Sequence, residues 1–195
     1  AFDTETTGLS PETDDVVQIG AVRMLGGRIV EGEVFDTFVD PGRPIPPAST
    51  RVHGVSDADV AGAPDFVTAG RRFHHFCRDA VLVAHNAPFD IAFLKRFEAD
   101  MGVAWNHPVL DTVLLSAVLF GTTEQHSLDA LCDRLAVEVP EAARHTGLGD
   151  ARVTAEVLVK IIPLLEGRGL STFGEVVSET RRHGRLLKDL NSPGG

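Results

Sequence analysis

The 195-residue sequence has no tyrosine, one tryptophan and two cysteines. The first absence excludes any mechanism that needs a tyrosine as acid, ligand or nucleophile. Cys77 and Cys132 form no C-x-x-C pair, so neither a structural zinc site nor a disulfide framework is expected, and a reducing cytoplasm fits best. Basic residues are also scarce. Lys and Arg number 18 against 28 Asp and Glu, a formal net charge of −10, which argues against a protein that grips a polyanion by charge alone. No apolar run approaches the roughly 20 residues of a membrane span, and no signal peptide precedes the first apolar segment. What remains is a chain with 43% hydrophobic and 24% charged residues, enough for one domain with a substantial core. It starts at Ala1-Phe2-Asp3 without Met and ends in Ser192-Pro193-Gly194-Gly195, and it reads as trimmed from a longer protein.

Local patterns divide the chain without repeats or low-complexity blocks. Residues 1–5 read as the end of a strand. Residues 16–24 and 28–39 are β-rich and flank Gly26-Gly27, a two-residue hairpin turn. Pro41, Pro44, Pro46 and Pro47 then predict an extended loop. Helical spacing follows over 65–78, a short buried strand over 80–84, and a helix over 88–101 with Phe89, Phe93, Phe97 and Met101 in one row. A strand is expected at 108–111 and helices at 112–120, after Ser127, from near Gly149 through Leu165, and over 171–190. The two glycines Gly147 and Gly149 predict a flexible loop before the helix that runs through Leu165. An antiparallel hairpin followed by alternating helices and strands implies an α/β domain with a mixed sheet.

Three segments carry candidate chemistry. In Asp3-Thr4-Glu5 the carboxylates are two apart on a strand, hence side by side on one face. Hard oxygen ligands on rigid backbone suit Mg²⁺ or Mn²⁺, although acid-x-acid pairs occur roughly four times by chance in so acidic a chain. In His85-Asn86-Ala87-Pro88-Phe89-Asp90, a strand end delivers Asp90 into the first turn of a helix, where an acid also serves simply to satisfy N–H groups and the helix dipole. In His145-Thr146-Gly147-Leu148-Gly149-Asp150, Asp150 lies on the inward row of Val153 and Val157, a costly place for an unpaired charge. Four acids in three segments, each at a strand end or helix start, are what a two-metal phosphoryl-transfer site needs.

Together these segments resemble the three exonuclease motifs of the DnaQ-like 3′–5′ exonucleases, a group that includes the proofreading subunit of bacterial DNA polymerase III. The motifs span residues 2–150, and Arg51-Val52-His53-Gly54-Val55-Ser56-Asp57 resembles the family's loop between the first two. The resemblance implies a ribonuclease H-like α/β fold with a mixed central sheet flanked by helices. It implies an exonuclease domain over 1–170, followed over 171–195 by a C-terminal helix and tail that would lead to any further domain. Asp3, Glu5 and Asp150 would hold two divalent ions, Mg²⁺ or Mn²⁺, with Asp90 completing the set directly or through water. The family carries either histidine or tyrosine in its third motif; with no tyrosine in the chain, His145 matches the histidine (DEDDh) branch as the catalytic base.

By the same resemblance Thr6 and Leu9 meet the terminal nucleotide, Leu9 wedging beside the base, while Asn86, Phe89 and His53 are further candidates for that pocket. The expected substrate is the 3′ end of nucleic acid, DNA ahead of RNA, and the product a nucleoside 5′-monophosphate. RNA trimming by the same site, phosphomonoester hydrolysis through an aspartyl nucleophile and a catalytically silent nucleotide- or protein-binding domain are the alternatives. The second needs an Asp where Glu5 stands. No clamp-binding peptide supports a polymerase partner, and the basic stretch from Arg181 to Lys188 reads as a solvated helix face ahead of a nucleic-acid contact.

Overall fold

A computed structural model of the chain describes residues 1–140 and 144–191. Strands β1 (Phe2–Thr6), β2 (Val16–Leu25) and β3 (Arg28–Phe38) form an antiparallel sheet in that order. Gly26 and Gly27 turn the β2–β3 hairpin with φ of 58° and 72°, the left-handed pair that a two-residue turn requires. Strands β4 (Leu82–Ala84) and β5 (Val109–Asp111) pair in parallel, and β4 lies beside β1. The strands therefore form two sheets, one antiparallel and one parallel, set side by side, rather than a single hydrogen-bonded mixed sheet.

Helices α3 (Phe66–Cys77), α4 (Ala87–Arg96), α6 (Thr112–Phe120), α7 (Leu128–Leu135) and α8 (Gly147–Glu166) surround these strands. One core cluster joins Phe2, Ile19, Phe73, Phe93, Leu94 and Trp105, and another joins Leu115, Leu131, Val153, Val157 and Ile161. The long helix α8 touches β1, β2, β3 and β4, so its buried row holds the two sheets together. Among the described residues no helix is long and apolar enough to cross a membrane.

Three local expectations are corrected. The proline-rich loop contains two short helices, α1 (Pro47–His53) and α2 (Asp57–Val60). Pro47 opens α1 where a missing N–H costs nothing, and α2 starts on a reciprocal cap between Ser56 and Asp59. The expected helix over 88–101 breaks at Phe97, whose φ of −110° separates α4 from α5 (Glu98–Met101) while its ring packs edge-on against Phe66 at 5.2 Å. The expected helix over 171–190 is α9 (Phe173–Thr180), followed by a 3₁₀ turn at Arg181–His183. Asn191 then folds back, accepting from the Val109 N–H at 2.9 Å and donating to its carbonyl at 2.7 Å. Arg181 and Arg182 are paired with Asp189 and Glu179.

Candidate active site

Strand alternation in β1 buries Phe2, Thr4 and Thr6 and leaves Asp3 and Glu5 half-buried on the opposite face. Asp3 pairs with Gly20 and Glu5 with Gln18, and the register slips between Glu5 and Thr6. Such irregularities end a ladder and re-aim side chains beside functional sites.

The N-terminus of α8 crosses β2 directly behind this pair. A Cβ built on Gly20 would lie 2.0 Å from the Gly147 carbonyl carbon and the Leu148 nitrogen, so only glycine admits the crossing. Gln18 fastens it: its Oε1 accepts the Gly147 N–H at 3.1 Å while its Nε2 donates to Asp36 at 2.9 Å. Thr146 caps the helix, accepting the Gly149 N–H at 3.1 Å. Gly147 and Gly149 are thus helical. The flexible loop expected around them is replaced by a pinned helix start, because close packing on Gly20 and the Thr146 cap both favour it. As a result Asp150 meets Asp3 and Glu5, with one carboxylate oxygen from each lying within 4.8 Å of the others.

Asp90 enters from α4. Its Oδ1 accepts from the Thr4 N–H at 3.0 Å and the Thr4 hydroxyl at 2.6 Å, which ties the buried acid to β1 between Asp3 and Glu5. It stands outside the three-carboxylate group. The turn before α4 is held by Asp111, a residue that sequence reasoning missed. Its carboxylate accepts from the N–H groups of Asn86 at 3.3 Å, Ala87 at 2.6 Å and Val113 at 2.8 Å, capping α4 and α6 together. Burial lifts Asp111 to about 6 even against these hydrogen bonds. An N-cap position was its only sequence signal, because Thr112 opens a helix.

His145 is exposed and adopts a left-handed φ of 57°, immediately before the Thr146 cap. Thr6 is buried with its hydroxyl donating to the Gly8 carbonyl at 2.7 Å, while Leu9 is 86% exposed. Asn86 is exposed, also left-handed, and makes no capping bond with its side chain. Phe89 is half-buried, edge-on to Phe93 at 5.2 Å. His53 is buried. Its Nδ1 accepts from the Val55 N–H at 3.1 Å, so Nε2 carries the proton and donates to the Thr6 carbonyl at 3.2 Å. Both ring nitrogens serve the backbone, and burial lowers its pKa.

The acids raise one another. Burial pushes Asp3 well above the carboxylate range, and the charges of Asp90, Glu5 and Asp150 push it further. Glu5 rises to about 7 by burial and by Asp150 and Asp90. Burial also raises Asp90, opposed by its Thr4 bonds, and raises Asp150, opposed by the charge and N–H of His145. Among the described residues no lysine or arginine pairs with any of the four. Asp150 feels the charges of His145 and Arg144, yet the carboxylates remain raised, and such converging acids fit a divalent metal, since bringing ions to the site removes the repulsion that raises these groups.

The three motif segments thus converge on one acidic centre, and a family model described as Exonuclease (RNase_T) matches residues 1–158. The chain belongs to the exonuclease family. It is 60% identical over 192 residues to a DNA polymerase III subunit epsilon-like protein of Rhodobacter capsulatus, covering 98% of this chain and 27% of that protein. A PolC-type DNA polymerase III of Caldanaerobacter subterraneus is 37% identical, covering 91% of this chain and 12% of the relative. The chain therefore spans about a quarter or less of these curated relatives. Among solved structures, Exonuclease X in complex with 5′-overhanging duplex DNA superposes with a TM-score of 0.69 at 27% identity, covering 92% of this chain and 97% of that one. E. coli Exonuclease I in complex with a dT13 oligonucleotide gives 0.72 at 14% identity over 86% and 41%, a likeness of fold.

Proposed function

We propose that this domain is a metal-dependent 3′–5′ exonuclease that removes nucleoside 5′-monophosphates from nucleic acid, with single-stranded DNA the first substrate. The observation that carries the reading is the convergence of Asp3, Glu5 and Asp150 within 4.8 Å, with exposed His145 five residues before Asp150. Asp3, Glu5 and Asp150 would hold two Mg²⁺ or Mn²⁺ ions, and Asp90, anchored through Thr4, would complete the set directly or through water. Bound there, the ions supply charge neutralisation at the phosphodiester and a more acidic water.

His145 accepts the proton of the attacking water. Exposure suits that task, because the group must meet solvent before and after each turnover. Leu9 and Phe89 offer apolar surface to the terminal base, and Asn86 offers an amide not used for capping. His53 acts one step back, by fixing the Thr6 carbonyl. The exonuclease unit is assigned to residues 1–170. Association with a polymerase belongs to the same proposal and draws on the names of the relatives.

A 5′-labelled oligonucleotide tests the reading, offered as DNA and as RNA, single- and double-stranded. Stepwise shortening from the 3′ end that requires Mg²⁺ or Mn²⁺ and disappears in Asp3→Ala is expected. Activity that ignores chelation, or oligonucleotides left intact, would overturn it, and faster cleavage of RNA would reassign the substrate.

A further inference from the structure

We propose that Arg43 and Arg96 are positioning residues of this site, acting by locking the loop of residues 7–15 so that Leu9 is held as a rigid wedge. The proposal rests on the exonuclease reading above and goes beyond it, since neither arginine lies in an acidic motif. Leu9 is the most exposed of the large apolar side chains described, and it sits only four residues beyond Glu5. A leucine on a mobile loop would lose its contact with a nucleobase to the entropy of ordering it.

The loop around it is tied from both sides. From the segment after β3, Arg43 Nη2 donates to the Thr7 hydroxyl at 2.8 Å, to the Thr13 carbonyl at 2.8 Å and to Asp14 at 3.2 Å, while its Nε pairs with Asp15 at 2.8 Å. From the end of α4, Arg96 Nη1 donates to the carbonyls of Pro11 at 3.0 Å and Asp14 at 2.7 Å, and its Nη2 reaches Asp15 at 3.5 Å. Inside the loop the Thr7 N–H donates to the Asp15 carbonyl at 2.8 Å, and the Ser10 N–H donates to Asp14 at 2.9 Å. The Asp14 carboxylate packs over Gly8, where a Cβ would come within 2.4 Å of it. Ser49 of α1 donates to the Thr7 carbonyl at 2.7 Å.

Stability explains this arrangement poorly. The guanidinium side chains are 42% and 33% exposed, and pairs of that kind contribute little to stability. Their geometric effect is larger, because planar forks spanning backbone carbonyls and carboxylates fix direction as well as distance. Helix α4 carries Asp90 in its first turn and Arg96 in its last, so one rigid element sets both an acid of the centre and the loop bearing Leu9.

The test is a double-mutant cycle on the full chain. Leu9→Ala, Arg43→Ala, Arg96→Ala and the Leu9→Ala/Arg43→Ala double variant are assayed on single-stranded DNA ending in an ordinary nucleotide or in a 3′ abasic residue. Leu9→Ala is expected to reduce the preference for the ordinary end about tenfold. Arg43→Ala and Arg96→Ala should reproduce that loss, mainly through KM, with the metal concentration for half-maximal rate unchanged. The double variant should be no worse than Leu9→Ala, and Arg43→Lys, which keeps the charge without the fork, should fall between.

Additive losses would overturn the proposal. So would a decrease of about one in the salt slope of log KM per arginine, which marks a direct phosphate contact. An activity-independent measurement separates the two readings: amide exchange at Ser10 and Asp15 should accelerate in Arg43→Ala while α4 stays protected. If exchange there is unchanged, the clamp is wrong even where the enzyme is active. If exchange accelerates but the unaltered chain cleaves nothing, the clamp stands and the exonuclease reading fails.

Discussion

Replacing Gly20 with alanine puts the assembly of the site under direct test. The added methyl would lie 2.0 Å from the backbone of Gly147 and Leu148, whereas carbon atoms rest about 3.5–4.0 Å apart. The start of α8 must therefore retreat by about 1.5 Å from the strand whose partner at that position is Asp3. The same shift stretches the 3.1 Å bond between Gln18 and Gly147 and withdraws Asp150 from Asp3 and Glu5. A misplacement of 1 Å costs on the order of 100-fold in rate, about 2.7 kcal/mol of transition-state stabilisation. Overpacking adds about 1–3 kcal/mol of lost stability. The assay pairs kcat/KM for oligonucleotide shortening with thermal unfolding in the presence and absence of Mn²⁺. A variant that retains its fold should lose at least 30-fold in kcat/KM and most of its metal-induced rise in Tm. Activity within threefold of the unaltered chain, with that rise intact, would refute the claim that this crossing sets the acidic centre.

Three further outcomes are expected. His145→Ala should lower turnover while leaving the Mn²⁺ dependence of Tm in place; loss of the metal response would show that the imidazole is a ligand rather than the base. Thr4→Val removes the 2.6 Å bond to Asp90 at nearly constant shape, and should cost about 2 kcal/mol, roughly 4–8 °C in Tm, read by calorimetry; an unchanged Tm would mean that the tether is not formed. Asp111, with its pKa raised from 3.8 to about 6, contributes stability that is fully present below its unfolded pKa and is lost as pH rises through 6. In chelator, the stability of Asp111→Asn relative to the unaltered chain should improve by about 1 kcal/mol between pH 5 and 7.5 in urea unfolding. A shift of opposite sign would mean that the N–H groups, not burial, control this carboxylate.

The strands, the hairpin and the positions of Asp3, Glu5, Asp90 and Asp150 were legible because they depend on short-range pattern. Alternation in β1, the Gly26-Gly27 turn and the run Thr112–Phe120 each need only neighbours in sequence. The breaks were not legible. Phe97 continues the apolar row of α4, yet its backbone leaves the helix where its ring packs on Phe66, a partner 31 residues away. Arg43, Arg96, Gln18 and Asp111 likewise look like ordinary surface or strand residues until the chain brings distant partners to them. Gly147 suggested mobility by composition, yet its contact with Gly20 makes it one of the most constrained positions of the site.

The contacts that build the site join residues far apart in the chain, with a sequence separation of 129 for Gln18 and Gly147 and of 86 for Thr4 and Asp90. Loop closures of this length come late in folding, after local helices and the hairpin have formed. During synthesis Asp3 and Glu5 leave the ribosome before Asp150, which follows only after every described strand has been made. A growing chain therefore carries three of the four acids without the arrangement that would let them share metal. The acidic centre assembles only when Asp150 joins the other three, and the timing is enforced by the order in which the residues are joined.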